Sequence, residues 1–231
     1  MPAESVSTVD VSTDENVFQV RDCTLIAIAT GTKAATLKEF RDGLQVIHPG
    51  SIYYHFWGGL LQSRFEEREY NNDFAAWAQH GLHDAVLGER LAAVDPTDFE
   101  PLEDLRRELI EIIEERLDES ERLTWLVANR PFEFLQSQII VFDTRTRVAE
   151  PKALAQLMLH LSIGTVFYHF IDARRRSPIR VDDFSAWLAA FGGRFDDLAR
   201  QLAGVDPYFG SLGELRQRLA NMLSAYFGEG G

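Results

Sequence analysis

Sliding the 231-residue sequence along itself by 114 positions lays Val17–Phe56 on Pro131–Phe170 without a gap, and ten of the forty pairs are identical. The match is densest where Gly50-Ser-Ile-Tyr-Tyr-His-Phe56 meets Gly164-Thr-Val-Phe-Tyr-His-Phe170. Four residues are then missing from the second copy. Beyond them Asn72–Ala78 meets Asp182–Leu188, Leu91–Pro96 meets Leu202–Pro207, and Leu102–Leu109 meets Leu212–Leu219. Four motifs recurring in one order mark an internal duplication, so whatever this chain folds into must satisfy one pattern twice.

The alignment sets the boundaries. Residues 1–15 are polar, lack a helical period and read as a flexible tail. Repeat one covers residues 16–118 and repeat two residues 130–231, closing on a glycine-rich frayed end. Between them residues 119–129 form a charged linker whose Leu123, Trp125 and Leu126 are expected to pack on one of the repeats.

Within each unit the pattern is chiefly helical. Phe18–Thr30 and Phe132–Thr144 are rich in β-branched and aromatic residues, which suggests short strands or extended chain. A capping box, Thr36-Leu-Lys-Glu39, then opens a helix through Leu37–Ile47, and Pro151 stands near the same place in the second copy. Ile52, Tyr53, Phe56, Trp57, Leu60 and Leu61 make a broad apolar face on the next helix. Phe74, Trp77, Ala78 and Leu82 form a third, matched by Phe184, Trp187, Leu188 and Phe191. A fourth ends at Val94-Asp95-Pro96 and Val205-Asp206-Pro207, because the residue before proline is driven out of the helical region. The fifth carries Leu102, Leu105, Leu109, Ile112 and Ile113. The expected fold is mainly α with minor short strands, a tandem duplication of a helical unit of about 100 residues with pseudo-twofold symmetry.

The set SIYYHF, NDFAAWA, LGERLAAVDP and LEDLRRELIEIIEERL resembles an uncharacterised bacterial and archaeal family, a domain of unknown function. The resemblance covers most of repeat one and, more loosely, repeat two. It implies no activity, so no catalytic residue carries over.

Composition narrows the functions. A formal charge of −13 opposes broad attraction to nucleic acid or anionic lipid, both of which need cationic surface. No uncharged apolar run reaches the roughly 20 residues that span a bilayer, and no basic-then-apolar leader opens the chain, so a cytoplasmic location is expected. Cys23, the single cysteine, excludes an internal disulfide and a thiolate-rich metal site, and reads as a small core residue. Arg174, Arg175, Arg176 and Arg180 read as a solvated loop, an anion site being the lesser alternative.

One constellation could carry chemistry. His55 with Asp73, and His169 with Asp183, recur in both copies, and imidazole and carboxylate can ligate a metal or share a proton. Their spacing fits no single-helix ligand motif. The plainer reading makes Asp73 and Asp183 helix N-caps and the histidines partly buried hydrogen-bonding residues. Thr30-Gly-Thr-Lys33 reads as turn chemistry, since the copy Thr144-Arg-Thr-Arg147 lacks the glycine. His80, His83 and Asp84 have no counterpart in repeat two and read as a helix end.

No nucleophile elbow, phosphate loop, dinucleotide fingerprint or paired-cysteine motif is present, so no catalytic, cofactor-binding or metal-binding residue is assigned. The leading expectation is a non-enzymatic adaptor or regulatory module that offers the surface or cleft between its repeats to a protein or small molecule. The alternative is a metal-dependent or acid–base enzyme using His55, Asp73, His169 and Asp183. No nucleic-acid or membrane partner is expected, and self-association stays open.

Overall fold

The computed structural model describes residues 16–61, 69–208 and 210–228, so the tail expected over residues 1–15 and the last glycines of the frayed end lie outside the described residues. β1 (Phe18–Thr36) runs antiparallel to β2 (Val127–Val148) in a two-stranded sheet. After β1 come α1 (Leu37–Val46), α2 (Pro49–Trp57), α3 (Asp73–His80), α4 (Ala85–Ala92) and α5 (Leu102–Asp118). A 3-10 turn, Glu121–Trp125, leads into β2. The second half continues with α6 (Pro151–Leu157), α7 (Ile163–Val166), a π-helical stretch Phe167–Asp172 and α8 (Ala173–Arg176). It ends with α9 (Asp183–Ala189), α10 (Asp196–Ala203) and α11 (Leu212–Gly228).

The expectation of a mainly α duplicated unit with only minor short strands is corrected by the sheet. Its strands are 19 and 22 residues long, far beyond the segments that looked extended in the sequence. Physically, the strands continue through three register shifts, two of which carry turn-like residues. Thr30-Gly31-Thr32 sits where the register jumps between Ala29 and Lys33; Gly31 has φ +79°, and Thr30 Oγ1 donates to the Phe134 carbonyl at 2.6 Å. In β2 Arg145 takes φ +63°, and Thr144 Oγ1 donates to the Val20 carbonyl at 2.6 Å. The ladder thus resumes after each interruption. β2 begins at Val127 and so also takes in residues 127–129 of the stretch read as a linker.

Local chemistry fixes the helix starts. Thr36 Oγ1 accepts from Glu39 N at 3.2 Å while the Glu39 carboxylate reaches back to Ala35 N at 2.7 Å. Pro151 occupies the first turn of α6, where a missing N–H costs nothing. Asn72 and Asp182 cap α3 and α9 by accepting from Ala75 N and Ser185 N at 2.8 and 2.9 Å. The N-caps therefore stand one residue before Asp73 and Asp183, the positions expected to cap.

Each set of helices packs on the strand of the other half. Phe132 and Phe134 of β2 are buried against Phe40, Phe74 and Trp77 of the first half, with Phe40–Phe132 and Phe40–Phe134 centroids 5.0 and 5.6 Å apart. Phe18 of β1 lies 5.3 Å from both Phe184 and Trp187 of the second half. Polar bonds cross in the same way. Trp77 Nε1 donates to the Arg130 carbonyl at 2.7 Å and Trp187 Nε1 to the Asn16 carbonyl at 2.8 Å. Ser137 Oγ donates to the Gly50 carbonyl at 3.2 Å and Cys23 Sγ to the Gly164 carbonyl at 3.3 Å. A Cβ on Gly164 would overlap the Cys23 carbonyl, so glycine is what lets the helix approach the strand this closely.

The ladder itself obeys this reciprocity. The offset that aligns the repeats carries Leu25 onto Ile139, and these two residues face each other across the sheet. Around that point every pair has a mirror-related counterpart, for example Thr24 with Ile140 and Ile26 with Gln138.

Candidate functional site

The repeated histidines are buried, at 2 % and 3 % exposure, and both nitrogens of each ring are engaged. His55 Nδ1 stands 3.0 Å from Asp73 Oδ2, and its Nε2 accepts from Leu135 N at 3.1 Å. His169 Nδ1 stands 2.7 Å from Asp183 Oδ2, and its Nε2 accepts from Arg21 N at 2.9 Å. A main-chain N–H can only donate, so Nε2 carries the lone pair and Nδ1 carries the proton given to the carboxylate. Each imidazole ties a helix of one half to the strand of the other.

The four residues form two separate pairs, one in each helical set. Among the described residues no group of three or more His, Cys, Asp and Glu side chains is placed to hold a metal. His80, His83 and Asp84 are likewise dispersed: His80 meets Glu69 at 2.9 Å, His83 meets Asn129 at 3.0 Å, and Asp84 caps α4 while binding Arg116 at 2.9 Å.

The His169–Asp183 pair belongs to a wider polar network. Arg176 contacts Asp183 at 3.1 Å and Asp172 at 2.7 Å, and Asp172 also accepts from the Tyr53 hydroxyl at 2.9 Å. Burial alone would raise the Asp183 pKa, but the bond from His169 and the Arg176 charge outweigh it and hold the carboxyl below its ordinary value. A depressed carboxyl stabilises the fold above its unfolded value, near pH 3.9, and that contribution is lost as pH falls through the folded value. Neighbouring Asp182 runs the other way, because burial raises it against the bonds from Ser185. Asp183→Asn should therefore flatten the loss of melting temperature on acidifying below about pH 4. A variant whose acid limb matches the parent's would refute this assignment.

A second site lies between the halves. A cavity of about 690 Å³ is lined by Trp57, Phe99 and Glu100 from the first half, and by Ile171, Arg175 and Tyr208 from the second. Both Val-Asp-Pro segments reach it, Asp95-Pro96 after α4 and Val205-Asp206-Pro207 after α10. Trp57 Nε1 donates to the Tyr208 hydroxyl at 2.6 Å, closing the floor across the two halves. Burial pushes the Tyr208 phenol up to about 12, with the Trp57 bond opposing, so it stays protonated at neutral pH. Three arginines edge the cavity: Arg174 donates to the carbonyls of Val205, Leu202 and Ala203, Arg180 pairs with Glu100 at 2.8 Å, and Arg175 lies over the rings of Tyr53 and Trp57.

The sequence held two signals for this cavity. The Val-Asp-Pro motif was repeated, yet it served only to end a helix. The arginine loop looked solvated because a charge run does not reveal which wall it edges; Arg174, Arg175 and Arg180 face the cavity, and Arg176 turns to Asp172 and Asp183.

A family model described as a family of unknown function (DUF5752) matches residues 15–224. No curated protein matches the chain. Among solved structures, OrfY from Thermoproteus tenax is similar, with a TM-score of 0.76 and 24 % identity over 90 % of this chain and 94 % of that one. At that identity the likeness establishes the fold alone. No described helix is long and apolar enough to cross a membrane.

Proposed function

Because the chain belongs to the family of unknown function DUF5752, its activity must be argued from the site, and we propose a non-enzymatic regulatory module that binds a small molecule between its halves. One observation carries this reading: the 690 Å³ cavity falls inside the roughly 300–1,000 Å³ typical of small-molecule sites and is walled by both repeats. A ligand there would touch α2, the segments after α4 and α10, and the helix bearing the arginines. Its occupancy would therefore be coupled to how the halves sit together, which is what a regulatory module requires.

The enzymatic alternative has less support. Acid–base or metal chemistry through His55, Asp73, His169 and Asp183 needs a ring nitrogen open to a substrate or ion, and both nitrogens of each imidazole are already bonded.

Binding to the native state stabilises it by mass action, by about 2.7 kcal/mol at a hundredfold excess over Kd, and so raises the melting temperature. Fractionated small-molecule extract should therefore contain a component that stabilises the parent protein. Gly204→Trp, which places a bulky ring at the cavity wall, should abolish that shift. Stabilisation that persists in Gly204→Trp would place binding elsewhere.

A further inference from the structure

The charged groups around the cavity are not equally satisfied. Glu100 is answered by Arg180, and Glu103 by Arg106 at 2.7 Å. Asp95 accepts from Thr97 N and Oγ1 at 2.8 and 2.6 Å, and Asp206 accepts from Tyr208 N at 2.8 Å, so both carboxylates are used by their own turns. Arg174 is occupied by three carbonyls. Arg175 has neither a carboxylate nor a carbonyl partner among the described residues, although the whole chain carries a charge of −13.

Arg175 is nevertheless held in place. Its guanidinium lies 4.5 Å from the Tyr53 ring centroid and 4.9 Å from that of Trp57. Contact with both rings holds the guanidinium beside them, and no described carboxylate or carbonyl takes up its N–H donors. The Tyr208 hydroxyl uses its lone pair to accept from Trp57 Nε1, which leaves its own proton to donate. Trp57 thus brings two kinds of unused donor to one part of the wall, one of them cationic.

Resting on the cleft-binding reading above, we infer that the ligand is a small molecule with one anionic group, a carboxylate or a phosphate. Arg175 and the Tyr208 hydroxyl receive this group beside Trp57. The uncharged remainder lies along Ile171, Phe99 and the proline-bearing loops. The anion meets a fork of donors in the geometry that guanidinium offers to carboxylate and phosphate. Asp95 and Asp206 discourage a second negative charge elsewhere on the ligand.

The test is a matched panel of probes on the full chain: phenyl phosphate, benzoate, benzyl alcohol and benzylamine. Binding is followed by Trp fluorescence and by chemical shifts at Ile171 and Tyr208, with Arg175→Gln in parallel. Arg175 is exposed, so this variant should keep the parent's melting temperature. The anionic probes should bind at least about tenfold tighter than benzyl alcohol, with that margin shrinking as salt rises. Arg175→Gln should erase the margin while leaving the neutral probe unaffected. Phenyl phosphate and benzoate separate the two anion sources.

Benzyl alcohol or benzylamine binding as tightly as the anions would overturn the inference and leave the cleft reading standing. An anion preference that survives in Arg175→Gln would also overturn it. If no probe shifts Ile171 or Tyr208, the inference and the cleft reading both fall.

Discussion

Cut between Asp118 and Arg130, the two halves are expected to lose their fold when separated and to regain it when mixed. The first helical set takes Phe132 and Phe134 from the second half, exposed by only 5 % and 1 %, and the second set takes Phe18 and Val20, exposed by 6 % and 2 %. Losing a buried phenylalanine costs about 3–5 kcal/mol. Two such losses, with the cross-strand ladder added, match the roughly 5–15 kcal/mol by which a whole domain is stable. Repeat one alone does have one escape. A second copy of itself can supply Phe18 where Phe132 belongs and Val20 where Phe134 belongs, so the isolated half should unfold or self-associate. Circular dichroism and gel filtration of residues 16–118 and 130–231, apart and combined, provide the check. A monomeric repeat one as stable as the parent would mean that the halves are merely tethered.

The second large effect is expected from His55→Ala combined with His169→Ala. Each change leaves a strand N–H, of Leu135 or Arg21, without its acceptor, and removes the imidazole donor to Asp73 or Asp183. An unsatisfied buried group costs about 1–3 kcal/mol, and the two sites belong to separate helical sets, so the double variant should lose about 2–6 kcal/mol. Chemical denaturation of the single and double variants measures this directly. Near-additive losses are expected. A double variant that unfolds at the parent's midpoint would show that these bonds add nothing to the fold, and would reopen the pairs as a chemical site.

Much of the helical framework was legible because its signals are local. The capping box at Thr36, the Phe74 and Trp77 spacing, and the stop before Pro96 each depend on neighbours in the chain. The strands were harder to read. Their centre has no consistently buried face, with Ile26 and Ile28 still 43 % and 42 % exposed, so no strict alternation extends them beyond a few residues. Nor can an alignment of two repeats reveal which strand completes which set of helices. Phe18 and Phe132 are equivalent by sequence, and either could have packed on its own half; the exchange is a property of the folded chain. The histidine–aspartate pairs were found from recurrence alone, but their meaning depended on the third partner, a main-chain N–H from the other half. Asp73 and Asp183 were placed one residue off as caps because Asn72 and Asp182, equally good capping residues, precede them.

Helices of one half are bonded to the strand of the other through the two histidines. The most direct test is nitrogen NMR on the full, uniformly labelled protein, seeking scalar coupling through the hydrogen bond between the Leu135 amide and His55 Nε2, and between the Arg21 amide and His169 Nε2. Both couplings should be present, with the side-chain proton of each ring on Nδ1. Rings protonated on Nε2, with no coupling to either amide, would contradict the exchange.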